Sequence, residues 1–152
     1  MANVNFSRLF LCSLSFLGMY VALYSAQNIS AVLFEKDGFQ QLGYYSNALA
    51  YFSEGFGSIF CVFVIMKFGA TKSMSRFATM NIPFIACLVL PALKSMNHDS
   101  DSVFLSETFV YIAVILTSML NGFAMGMTQP ASGNYIAECS TEETKGFYFA
   151  FF

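Results

Sequence analysis

Charge is what this chain lacks most. Only 11% of its residues are Asp, Glu, Lys or Arg, against about 25% in a soluble domain. With 57% hydrophobic residues and a mean hydropathy of +0.60, there is too little polar surface to face water all round. That excludes a soluble globular domain. Hydrocarbon as solvent removes the difficulty, so the composition defines an all-α, multi-pass membrane protein whose first partner is the lipid bilayer. The net charge of −2 leaves no basic face for nucleic acid. Cys12, Cys61, Cys87 and Cys139 form no CxxC and no Cys/His pair, so neither a zinc site nor a disulfide framework is indicated; the first three sit in apolar runs as small hydrophobes. No nucleophile–base or metal-ligand set appears, so an enzyme reading and a cofactor both lack support. The lone His98 carries no assignment. Repeats, low-complexity tracts and long linkers are absent too, leaving one membrane unit.

What is present is a series of long apolar runs. Spans are expected at Leu9–Phe34, Tyr44–Met66, Phe77–Leu93 and Thr108–Ala137, the second long enough at 1.5 Å per residue to cross a core of ~30 Å. A fifth run, Phe147–Phe152, only begins a helix, so the chain is expected either to be incomplete or to lean on a partner. The first span has no small-x-small cleavage site after it, since Tyr24 stands two before Ala26; it reads as a retained helix rather than a secretory signal. Asn5-Phe6-Ser7 and Asn28-Ile29-Ser30 fit the glycosylation pattern, but the first falls in a cytoplasmic segment and the second against the membrane. Pro83 and Pro91 bend the third span, and Pro130 either kinks the fourth or that helix runs past the membrane. Arg8, Lys67, Lys72, Arg76 and Lys145 fall on one side and only Lys36 and Lys94 on the other, which places the N-terminus in the cytoplasm. Gly69, Lys72 and Arg76 belong to one cytoplasmic turn, and Glu138, Lys145 and Gly146 to the next.

Polar residues fall on helical stripes. Tyr24, Gln27 and Asn28 mark the first span, with Ser13 and Tyr20. Asn47, Tyr51, Glu54 and Ser58 mark the second. Thr117, Asn121, Thr128 and Ser132 mark the fourth, with Gln129 on the adjoining face. The third has no such stripe, which puts it at the periphery of a bundle around a hydrated cleft. Tyr24, Gln27, Asn28, Asn47, Tyr51, Glu54, Asn121 and Gln129 are the candidate cleft residues. Glu54 is the one charge well inside a span, where an ionised group costs at least ~2.5–3.5 kcal/mol. Two readings stay open: proton or cation coupling, or a protonated carboxyl bonded to a neighbouring helix. The amides likewise either bind a small solute or tie helices together. Gly18, Gly55, Gly57, Gly122 and Gly126 are expected at close helix contacts.

Several of these motifs resemble the uncoordinated-93 family, the ion channel regulatory branch of the major facilitator superfamily. Ser25-Ala26-Gln27-Asn28 is similar to the end of that family's first helix, and Glu35-Lys36-Asp37-Gly38 with Leu42-Gly43 to its first outer loop. Gly69-Ala70-Thr71-Lys72-Ser73-Met74 resembles its turn between helices two and three. Gly122 through Cys139, then Glu142-Glu143-Thr144-Lys145-Gly146, resembles its fourth helix and the turn after it. The chain departs from the family at Gln129, where Trp is usual, at Ser132, where Gln is usual, and at Pro130; it has no Trp at all. Glu54 stands where the family would have an apolar residue. The Asp-Arg pair of sugar-porter relatives is missing from the turn.

The resemblance implies a twelve-helix major facilitator fold with a site between two halves, of which this chain holds four transmembrane helices and the start of a fifth. It implies a regulator of ion channels or of membrane-protein trafficking, partnered by another membrane protein and by the missing C-terminal helices. A solute or ion transporter of the same superfamily, and a truncated structural subunit of a larger membrane complex, are the alternatives.

Overall fold

A computed structural model describes residues 2–97 and 106–152, with side chains from Phe6 onward. His98, Asp99 and Asp101 lie outside the described residues. The described chain is helical: α1 Ala2–Lys36, α2 Leu42–Phe68, α3 Ala70–Thr79, α4 Ile82–Cys87, α5 Leu90–Met96, α6 Glu107–Cys139 and α7 Lys145–Phe151. By length and composition it holds four candidate membrane spans, with α3 to α5 together forming the third over Ala70–Met96. This is a multi-pass membrane protein.

Neighbouring spans run in opposite directions. At one end Leu9 of α1 is buried with Ile136 of α6 and Tyr148 of α7. At the other, Phe34, Phe39 and Leu42 pack with Val110 and Val114 at the start of α6. Arg8, Lys67, Lys72, Arg76 and Lys145 therefore share one end of the bundle, while Lys36 and Lys94 stand at the opposite end. The two connections differ. Between α1 and α2 the chain turns through Gly38, with φ 90°, and Gln40, with φ 47°. Between α2 and α3 one residue suffices: Gly69 has φ 80° and ψ 161°, a region open essentially to glycine alone.

The fourth span is the axis of the bundle. Its α6 is continuous through Pro130 and 33 residues long, about 50 Å at 1.5 Å per residue. A hydrocarbon core is only ~30 Å thick. The helix accommodates the proline without ending and outruns the core. Against it lies α2, whose buried residues include Ser46, Ala50, Ser53, Gly57 and Cys61. These recur every three or four positions, a stripe of small side chains on one helical face. They meet Gly122 and Gly126, where a Cβ would run into the Ala50 and Glu54 carbonyl oxygens respectively. Backbone thus touches backbone, the kind of approach that small residues permit where no hydrophobic effect drives helices together. Two bonds seal the seam, from Ser53 Oγ to the Met119 carbonyl at 2.7 Å and from Cys61 Sγ to the Met127 carbonyl at 3.0 Å.

Three expectations need correction. Gly18 and Gly55 are exposed, and nothing lies within 4 Å of where their Cβ would be; both fall on faces turned away from the α2–α6 seam. A contact not expected replaces them: Gly43 is buried against Ala31 of α1, where a Cβ would strike the Ala31 backbone. Nor is the third span a single peripheral helix over Phe77–Leu93. It starts at Ala70 and breaks into pieces that restart with Pro83 and Pro91 in their first turns, where a missing N–H costs nothing. Met74 and Phe77 pack with Cys61, Met127 and Ala131, and Phe84 is buried with Leu23 and Met125, so this span takes part in the core.

Replacing Gly126 by Ala is expected to lower the thermal stability of the purified protein in detergent, at the ~1–3 kcal/mol typical of overpacking. Gly55→Ala, one helical face away, should leave the melting temperature unchanged within error. Equal effects would contradict the backbone contact at Gly126.

Candidate functional site

The polar residues of the spans divide into two groups that their spacing alone did not separate. One group is buried. Gln27 is 3% exposed and Asn121 fully enclosed, so neither lines an open cleft as expected. Both stand one turn from a shared apolar contact, Leu23 with Met125, toward the same end of the antiparallel pair. Asn47 is half-buried, and its Nδ2 donates to the Gln27 backbone carbonyl at 3.2 Å, tying α2 to α1. The side-chain oxygens of Gln27, Asn47 and Asn121 accept no hydrogen bond from a described residue. On the same helices the hydroxyls of Thr117, Ser118, Thr128 and Ser132 bond to carbonyls three or four residues back. The stripe on α6 is therefore mostly packing surface, each hydroxyl satisfied by its own helix.

The second group is open. Tyr24, Asn28, Tyr51 and Gln129 are exposed, with Glu54 half-buried beside them. Glu54 lies near the middle of α2, one position round from Ser53 in the small-residue stripe, so it emerges at the edge of the seam. Gln129 emerges at the same edge from α6, and its Nε2 donates to Glu54 Oε1 at 3.0 Å. The contact at Gly126 sets this geometry: the Glu54 backbone presses on Gly126, and Gln129 follows one turn later on the same helix.

Aromatic side chains of α1 wall the pair. Phe16 and Tyr20 have ring centroids 5.7 Å apart, and Tyr20 stacks on Tyr24 at 5.7 Å and 18°. This ladder follows the four-residue repeat of one helix face. Phe16, Tyr20, Tyr24, Gln129, Ser132 and Phe152 line an open groove of about 290 Å³. Phe152 borders it edge-on to Phe16 at 5.2 Å. The Tyr20 hydroxyl is buried without a hydrogen bond of good geometry among the described residues. Among the described residues no group of His, Cys, Asp and Glu is arranged to hold a metal ion.

The residues assigned to cytoplasmic turns are mostly helical. Gly69 is the whole turn before α3. Lys72 and Arg76 lie on α3 itself, and Arg76 sits 4.8 Å over the Phe68 ring. Glu138 is in the last turn of α6, and Lys145 and Gly146 open α7. Thr144 makes the intervening bend, accepting from the Thr141 amide on Oγ1 at 2.9 Å and from the Tyr148 amide on its carbonyl. Of the functional neighbours, the seam residues Ser53 and Cys61 were missed because a hydroxyl or thiol among apolar residues reads as filler. Their spacing with Ser46, Ala50 and Gly57 is the signal that would have found them.

With this geometry in view, comparison with protein-family models, with curated proteins and with solved structures finds no match.

Asn47→Leu is expected to cost about 0.6–1 kcal/mol through the lost bond to α1. Asn121→Leu, which removes an enclosed amide with an unpartnered oxygen, should stay within about 0.5 kcal/mol of the parent. Reversible unfolding in mixed detergent micelles measures both. A larger loss at Asn121 than at Asn47 would mean that the enclosed amide has found a donor.

Proposed function

We propose that this chain is a transporter-like membrane protein of the uncoordinated-93 type, with a major facilitator fold, which regulates an ion channel or the trafficking of another membrane protein. The reading rests on the motifs that resemble that family. The observation that carries it is the exposed polar face at mid-membrane, where Glu54 and Gln129 pair beside Tyr24 and Tyr51. A carboxyl at this depth is costly toward lipid, and only protein or a water-lined cleft relieves it. Such a face is what a helical bundle presents when further membrane helices, or a partner protein, stand opposite.

The Glu54–Gln129 pair also favours a second reading, transport of a small solute or ion through the same cleft. A carboxylate with one oxygen engaged and the other open offers a site for a proton or a cation at the level where alternating-access proteins hold their cargo. The N-terminus is cytoplasmic in both readings, because the end of the bundle bearing Arg8, Lys67, Lys72, Arg76 and Lys145 outweighs the end bearing Lys36 and Lys94.

Flux and capture separate the two. Reconstituted in liposomes, a transporter moves protons or cations in a manner that Glu54→Gln abolishes. A regulator shows no flux, yet recovers a specific channel or membrane cargo by co-purification and alters its surface level when deleted. Flux unaffected by Glu54→Gln removes the coupling role. For sidedness, a thiol placed at Thr71 should react with an impermeant reagent from the cytoplasmic side and one at Gln41 from the opposite side; the reverse pattern refutes the orientation.

A further inference from the structure

The groove beside Glu54 has a chemistry more specific than a generic polar cleft. Four of its six lining residues are aromatic: Phe16, Tyr20, Tyr24 and Phe152. Its polar side is Gln129, held by Glu54 Oε1 at 3.0 Å, which fixes the amide and leaves Glu54 Oε2 without a donor among the described residues. No Lys or Arg lies between Lys36 and Lys67 or between Lys94 and Lys145, so neither α2 nor α6 carries an internal cation to neutralise this carboxyl. A site of this composition suits one ligand class. A bare inorganic ion needs a shell of oxygens to replace its water, and this groove offers mostly rings. A neutral apolar ligand would gain nothing from the carboxyl. An organic ammonium gains from both, since its methyl or methylene groups pack on aromatic rings while its charge is attracted to them and to the carboxylate. The groove's volume of about 290 Å³ is enough to seat a small one.

We propose that the groove lined by Phe16, Tyr20, Tyr24 and Gln129, with the Glu54 carboxyl directly behind Gln129, binds a small organic ammonium ion. This rests on the reading of the exposed α1–α2–α6 face as a cleft, and it names the ligand class for that cleft. Tyr20 and Tyr24 supply the aromatic contact, Glu54 the counter-charge, and Gln129 holds the carboxyl in place.

The test uses the full-length protein in lipid nanodiscs, with choline and its uncharged carbon isostere dimethylbutanol as probes. Isothermal titration measures affinity. Choline should bind about ten-fold or more tightly than the isostere. Glu54→Gln, which can still accept the Gln129 bond, should bring choline down to the level of the isostere. Tyr24→Leu should weaken choline binding several-fold, with Tyr24→Phe restoring most of it. Equal binding of the two probes, choline binding unchanged in Glu54→Gln, or no binding of either would overturn the proposal. Asn28→Cys on the same face tells two failures apart. If that thiol reacts with a water-soluble reagent while the probes bind equally or not at all, only the ammonium ligand is refuted. If it is unreactive as well, the cleft reading fails with it.

Discussion

The contact between α2 and α6 is the constraint on which the rest of the structure depends. Ala50, Glu54 and Gly57 on one helix and Gly122 and Gly126 on the other bring two backbones together without intervening side chains. Lipid tails are as apolar as the side chains they would displace, so association in a membrane rests on close packing and on bonds across the seam. Ser53 and Cys61 add such bonds without widening it. The remaining spans are arranged on this pair: the third against α6 through Met74, Phe77 and Phe84, and α1 across its outer end through Ala31 and Gly43.

The polar pair halfway along α2 is a by-product of that seam. Residues one position round from a helix contact are displaced by about 100° and come out at its edge. Glu54 follows Ser53 in this way, and Gln129 follows Gly126 by nearly a full turn. The packing that makes the bundle possible therefore also aims a carboxyl and an amide at one another, on the face that α1 lines with Phe16, Tyr20 and Tyr24. Rigid backbone contact below and an aromatic ladder beside it hold the pair in place, so the architecture of the site and the architecture of the fold are the same contact seen from two sides.

Much of this was legible from residue types alone. Long apolar runs bounded by charges locate α2 and α6 at both ends and α1 at its C-terminal end to within about two residues, because in a membrane almost nothing else satisfies the backbone; α1 begins earlier than its apolar run, at Ala2 rather than Leu9. Glycines were harder to read. Gly122 and Gly126 mark a true seam while Gly18 and Gly55 look alike on paper and face open space, since a small residue permits a neighbour without requiring one. Polar stripes misled for a related reason. Gln27 and Asn121 share a periodicity with Tyr24 and Gln129, but a rotation of one residue decides whether an amide is enclosed or open, and only the partner helix sets that rotation. The third span hid its prolines' effect: a proline can bend a helix or begin a new one, and here both begin new ones.

The single residue between α2 and α3 bears on how the protein enters its membrane. Gly69 allows no slack between two spans of 27 residues each, so the end of α2 cannot settle at the interface and wait while a loop is made. Two spans joined by one residue must be accommodated in the membrane as a hairpin. Lys67, Lys72 and Arg76 cluster at this bend, so the hairpin carries its positive charge at one end. A side chain at position 69 would have open space around it but a backbone conformation it rarely adopts, so its cost would fall on the hairpin bend itself.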